Sequence, residues 1–252
     1  MSVRFCHVER KMADIINTSE DRMFGEVRKS VFSAVRAAVV NKLHYLLVDR
    51  KFDARRGVTI YPAFLKQYLA MITSSDVEDA GSLEPSNVAA VRWSLLPLPV
   101  DPRTASFIDM GSGTGRALLV AADYHFKHVI GVEQVAELHE VANENLGQLS
   151  EDFLHCSWLE NRLGDATAYA LPVDNLVIYL NNDWSSAALD QILSHIKFSF
   201  EYTPRSIFVI YVNPVKKHIF DRYAFLQPLK LKFWARMRLK YLCARKIMIY
   251  RA

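Results

Sequence analysis

From about residue 105 onward, short apolar runs alternate with stretches whose apolar residues recur every three or four positions. The runs cover 107–108, stopped by Asp109; 129–132, stopped by Glu133; 161–165, short and closed by Asp165; and 174–180, the most hydrophobic. Two more cover 205–212, stopped by Asn213-Pro214, and 246–250. The stretches between them, 116–123, 136–149 and 186–198, have helical spacing; in 136–149 the apolar side is Leu138, Val141, Ala142 and Leu146. Over 229–241 apolar residues alternate with Lys230, Lys232, Trp234, Arg236, Arg238 and Lys240, which predicts a strand with one basic face. Strand and helix taking turns in this way predict an α/β fold, doubly wound, with a mostly parallel seven-stranded sheet and an antiparallel last strand.

Upstream the pattern is helical. Met23, Val27, Val31, Val35, Ala38, Val39 and Leu46 place a helix over 21–47. A polar, basic break follows over 49–59, with Gly57 inside it, then a helix over 61–72 that opens on Pro62. Residues 73–82 are acidic and small and read as an exposed loop. The helix over 88–96 has Ser86 or Asn87 as its N-cap. The expected division is an N-terminal helical extension or lid, 1–100, packed on a core domain, 101–252.

The richest chemistry follows the first run. Asp109 is succeeded by glycines at every second position, Gly111, Gly113 and Gly115, and then by a helix. Such a turn lets main chain approach a ligand at the helix N-terminus. Glu133 ends the next run, 24 residues after Asp109. An acid at that tip accepts hydrogen bonds from the two hydroxyls of a ribose, so an adenosine-containing cofactor is expected across the carboxyl ends of the strands. A dinucleotide fingerprint is G-x-G-x-x-G. Here the third glycine comes one residue early, and Asp109 would oppose a pyrophosphate while suiting the ammonium of an amino-acid cofactor. Asp165 ends the third run, where an acid can accept from an adenine amino group while the N–H of Ala166 reaches a ring nitrogen; Gly-Asp is also a common turn. A glycine turn without a ligand accounts for the glycines and for neither Asp109 nor Glu133.

The pattern D-x-G-S-G-x-G-R over 109–116, with Gly131-Val132-Glu133, resembles the class I S-adenosylmethionine-dependent methyltransferases. Within them it is similar to a group of small bacterial enzymes, whose upstream segments also resemble 49–57 and 83–86. The resemblance covers about 106–252. It implies S-adenosylmethionine as cofactor, no metal, and catalysis by positioning an acceptor in line with the S–CH₃ bond. The cofactor contacts it implies are Asp109, Gly111, Ser112, Gly113, Thr114, Gly115, Glu133, Gln134, Asp165, Ala166 and Asn181. The chain departs from the group at His125-Phe126, in place of Pro-Phe, and after the fourth strand, where Asn182-Asp183-Trp184 replaces Asn-Pro-Phe. A fainter resemblance is to the seven-strand, non-SET lysine methyltransferases, which carry G-S-G, G-V-E and a paired asparagine followed by an aromatic, as in Asn181-Asn182 and Trp184.

That loop lacks the prolines of the enzymes that methylate the amino groups of adenine, cytosine or glutamine. Asn181 is expected at the cofactor or the acceptor amine, Asp183 as orienter of the amine or acceptor of its proton, and Trp184 as the wall of the transfer channel. The plainer reading makes Asp183 an N-cap and Trp184 a packing residue of the next helix. Methyl transfer to an amine nitrogen is expected, with protein lysine ahead of a small molecule. Two alternatives are a nucleic-acid methyltransferase using the basic C-terminal strand as a phosphate track, and a non-catalytic cofactor-binding partner subunit.

Bulk composition changes this picture in two places. The net charge of +4 conceals an asymmetry: residues 214–252 carry eleven Lys and Arg against Asp221 alone, on an otherwise acidic body. The three cysteines, Cys6, Cys156 and Cys243, form no C-x-x-C pattern, which argues for a reducing compartment and against a zinc site. With no apolar stretch long enough for a bilayer, a cytoplasmic protein is expected.

Overall fold

The computed structural model describes residues 45–60, 85–181, 184–243 and 245–252, all within one compact unit, His44–Ala252. The expected helix over 21–47, as far as residue 44, the helix over 61–72 and the loop over 73–82 lie outside the described residues.

Seven strands form one sheet in the order β3-β2-β1-β4-β5-β7-β6. They are β1 (Ala105–Met110), β2 (His128–Glu133), β3 (Leu159–Leu163), β4 (Asn175–Leu180), β5 (Ile207–Val212), β6 (Gln227–Pro228) and β7 (Ile247–Arg251). β1 to β5 pair in parallel, and β7 runs antiparallel to both β5 and β6. This is the doubly wound α/β sheet that the periodicity predicts. The order reverses between β1 and β4, and in open parallel sheets ligands collect outside the carboxyl ends at such a point.

Helices cover both faces. On one lie α1 (Arg50–Arg56), α2 (Val88–Leu95), α3 (Arg116–Ala121), α4 (Ala136–Gly147) and, further along the chain, α7 (Phe233–Tyr241). Their apolar residues pack on Phe107, Val129, Val177, Tyr179 and Phe208. On the other lie α5 (Ser186–Tyr202) and the short α6 (Lys217–Phe220), packed on Ile108, Ile130, Ile178 and Val209. α5 buries Leu189, Ile192, Leu193 and Ile196 on one stripe, and each stabilises the fold by roughly 1.5–3 kcal/mol. Every residue of β1 is buried, as expected of a strand covered on both faces.

Two expectations need correction. The basic strand over 229–241 is not a strand: β6 pairs only at Gln227 and Pro228, and 233–241 is the helix α7. Its residues, Phe-Trp-Ala-Arg-Met-Arg-Leu-Lys-Tyr, are mostly strong helix formers with no β-branched member, so propensity prevails over a chance alternation. The basic face is therefore carried by a helix and the turn before it. The break over 49–59 also contains a helix, a π-helical turn at Tyr45–Asp49 leading into α1, which Gly57 ends in a left-handed conformation (φ 69°). It buries Asp53 and Arg56 beside Phe52, so its inward side is partly charged and leaves no apolar period to read. Elsewhere boundaries move slightly: β3 begins at Leu159, and α5 continues to Tyr202. No helix among the described residues is long and apolar enough to cross a membrane.

Candidate functional site

Asp109 sits near the carboxyl end of β1, in register with Gly131 of β2 and Tyr179 of β4. It is buried, and its Oδ1 has no hydrogen-bond partner. Burial, reinforced by the neighbouring charge of Glu133, pushes its carboxyl well above the usual carboxylate range. After Met110 the chain turns through Gly111 (φ 73°), Gly113 (φ 54°) and Gly115 (φ 86°), conformations open to glycine and strained for other residues. A Cβ at Gly113 would meet no atom within 4 Å, whereas one at Gly115 would press on the Cβ of Ala142 at 3.2 Å. Gly113 thus faces open space and Gly115 faces α4.

Glu133 organises the loop. Its Oε2 accepts from the Gly113 amide (2.7 Å) and its Oε1 from the Val135 amide (2.9 Å). Burial lifts its pKa, opposed by the Val135, Gly113 and Gln134 amides and by His139. A carboxylate has about four acceptor positions, so two bonds leave room for ribose hydroxyls. The loop is also held from below: the Gly111 and Ser112 amides bond the Val132 carbonyl at 2.8 and 3.1 Å.

Asn161 and Asn145 escaped the sequence reading, as did the supporting role of Arg116. Asn161 of β3 accepts from the Ser112 hydroxyl (2.8 Å) and meets Nδ1 of His139 (3.0 Å). Gly131, its partner in register, makes that approach possible, since a Cβ there would fall 2.6 Å from Leu118 and 2.9 Å from the Ser112 Cβ. Asn145 of α4 donates to the Thr114 carbonyl (3.0 Å) and accepts from the Thr59 amide (2.9 Å). Behind the loop Arg116 is buried, bonding Asp53 through Nε and an Nη (3.2 and 2.5 Å) and the Ser86 carbonyl (3.3 Å), with Asp49 at 3.7 Å. Asp49 in turn accepts from the Val88 amide and from Asn87, while Asn87 caps α2 by accepting from the Ala90 amide (3.1 Å). Of these, Asn87 is one of the two expected caps of α2, Arg116 closes the 109–116 pattern and Gly131 opens Gly131-Val132-Glu133, whereas Asn145 and Asn161 carried no signal.

The remaining sequence-derived residues are more dispersed. Gln134 is exposed beside Glu133. Asp165 is exposed and accepts from the Thr167 amide and hydroxyl, both at 2.8 Å, with Ala166 buried next to it. Asn181 follows β4 and is half-buried, and Asn182 and Asp183 lie outside the described residues. Trp184 packs against the α5-side core; its indole N–H is buried without a partner, and its carbonyl accepts from Lys216 Nζ (2.6 Å). The N-cap of α5 is Ser185, which accepts from the Ala188 amide.

Two buried acids of like charge, one with an unpartnered oxygen, beside an open-faced glycine turn suit a cationic ligand and oppose a phosphate. Among the described residues no cluster of His, Cys, Asp and Glu could hold a metal ion.

No protein-family model matches the chain, and no curated protein does. Solved structures with a similar arrangement include an S-adenosylmethionine-dependent methyltransferase of Leishmania major (15% identity, 65% of this chain and 71% of that one, TM-score 0.46). Another is a predicted N6-adenine-specific DNA methylase of Listeria monocytogenes (14% identity, 69% of this chain and 52% of that one, TM-score 0.45). A third is a candidate RNA methyltransferase of Pyrococcus horikoshii (19% identity, 65% of this chain and 79% of that one, TM-score 0.40). At these levels of similarity neither family nor acceptor follows from them.

Proposed function

We propose that the chain is an S-adenosylmethionine-dependent methyltransferase acting on an amine nitrogen, with protein lysine as the favoured acceptor. The observation that carries the reading is Asp109: a buried carboxyl with an unpartnered oxygen, under a glycine turn whose central residue has open space before it. Asp109 and the 111–115 main chain would hold the amino-acid end of the cofactor, Glu133 with Gln134 the ribose, and Asp165 with the Ala166 amide the adenine edge. The bound group would supply an electrophilic methyl; the chain's own task is to orient an acceptor and exclude water. Asn181, Asp183 and Trp184 would shape the acceptor side, Asp183 taking up the amine's proton. The preference for lysine rests on the paired asparagines followed by an aromatic after β4.

The test is S-adenosylhomocysteine binding by calorimetry together with labelled-methyl transfer into protein, nucleic-acid and metabolite fractions of a lysate. Micromolar binding and label in protein are expected. NAD binding without S-adenosylhomocysteine binding would overturn the cofactor, and label confined to another fraction would overturn lysine. Asp183→Asn and Trp184→Ala should each lower turnover at least about tenfold while leaving S-adenosylhomocysteine affinity nearly intact; that would locate about 1.4 kcal/mol or more of transition-state stabilisation in this loop.

A further inference from the structure

Away from the glycine loop, the C-terminal end of α2, the turn after it and residues 229–238 enclose a groove of about 450 Å³. Trp93, Leu96 and Trp234 line it, and Lys230, Lys232 and Arg238 stand along it. It lies at the opposite end of α2 from Val88, whose amide bonds Asp49 behind the loop, so it is separate from the proposed cofactor site. Trp234 is 73% exposed and Leu96 56%, a costly apolar surface to leave in water. The Arg238 guanidinium rests 5.0 Å over the Trp93 ring, which braces a second flat surface at the groove.

The charge is one-sided. From residue 222 to 252 there is no Asp or Glu. Lys230, Lys232, Arg236 and Lys240 are exposed and, among the described residues, stand in no ion pair. Flat stacking surfaces set among unpaired cations match the chemistry of single-stranded nucleic acid, whose bases each offer a π-face and whose backbone carries one negative charge per nucleotide. A duplex hides its base faces and would leave Trp234 unused. An acidic polypeptide would satisfy the lysines and gain little from the ring surfaces.

We propose that this groove binds a single-stranded nucleic-acid tract, with one base stacked on Trp234, another on the Arg238 guanidinium braced by Trp93, and phosphates at Lys230 and Lys232. Nothing in this site requires the cofactor, so it stands or falls independently of methyl transfer.

The experiment uses the full chain and fluorescein-labelled oligouridine and oligothymidine of about ten nucleotides, followed by anisotropy over a salt series. Binding should weaken with salt with a logarithmic slope of about −1.4, the value for two phosphates at −0.7 each. Trp234→Ala should weaken binding about tenfold and leave the slope unchanged. The double change Lys230→Glu with Lys232→Glu should weaken it more and flatten the slope. Both variants should keep the wild-type unfolding temperature, because these side chains are exposed. Preference for uridine over thymidine strands assigns the ligand to RNA, and the reverse to DNA. Absence of binding at low salt, full binding by Trp234→Ala, or equal competition by polyglutamate of the same length would each overturn the proposal.

Discussion

At the scale of single residues, Asp109 makes the sharpest commitment. Its carboxyl is held above the usual range by burial and by Glu133, so between the two pKa values the folded chain binds more protons than the unfolded one. Stability contributed at this position therefore falls as pH rises from the ordinary carboxylate value through the raised native one. Asp109→Asn removes the buried charge. It should raise the neutral-pH stability of the ligand-free protein by roughly 1–3 kcal/mol and flatten its dependence on pH. The same change should weaken S-adenosylhomocysteine. Denaturant unfolding at pH 5 and pH 8, with calorimetry on the same samples, checks both halves; a variant less stable than wild type at pH 8 would contradict the assignment.

At the scale of elements, Arg116 joins pieces that lie far apart in sequence. Its guanidinium links the first turn of α3 to α1 through Asp53 and to the segment before α2 through the Ser86 carbonyl. Burial lifts the pKa of Asp53 while Arg116 and Arg56 draw it down, so the pair depends on its fork geometry. Arg116→Met would leave Asp49 and Asp53 without their shared cation and should destabilise by about 3–5 kcal/mol in urea unfolding, with Arg116→Lys between it and wild type. The sheet and its main helices were legible because β4 and β5 carry long apolar runs, β1 ends in Asp109 and the glycine turn, and α5 carries a clear stripe. α1 was not, since it turns charged residues inward and their partners come from α3 and from Asp123. α7 was misread because its apolar and basic residues alternate while its intrinsic preference is helical. The supports at Asn145 and Asn161 depend on tertiary neighbours, and nothing local marks them. Asp109 and Glu133 were readable as acids at strand ends, but the inward grip of Glu133 on Gly113 was not.

At the scale of the whole molecule, the sheet carries opposed electrostatic settings at its two ends. Near the amino ends of β1 and β4, Asp174 accepts from Lys127 Nζ (2.6 Å) and the Ser106 hydroxyl (2.9 Å), with His128 at 3.1 Å. Burial raises its pKa, and the bonds from Lys127 and Ser106 more than offset that, leaving it below the ordinary value. Its contribution is present above the unfolded carboxylate pKa and is lost as pH falls through the depressed native one. Asp174→Asn should therefore melt below wild type at pH 7, with the gap closing on acidification below about pH 4, the opposite trend from Asp109→Asn. Thermal melts of the two variants over one pH series check the contrast. The carboxylate held below its ordinary pKa lies near the amino ends of the strands, and the one held above it lies at the carboxyl ends, where the cofactor is proposed to sit.

The grip of Glu133 on the Gly113 and Val135 amides has a consequence for timing. A glycine-rich turn left free would have to find its shape during each encounter, and that search would limit how fast a ligand settles. Here two bonds already fix the turn, so the proposed cofactor would meet a finished cradle. Association would then be a single diffusive docking step, and how long the ligand stayed would be decided by its rate of escape.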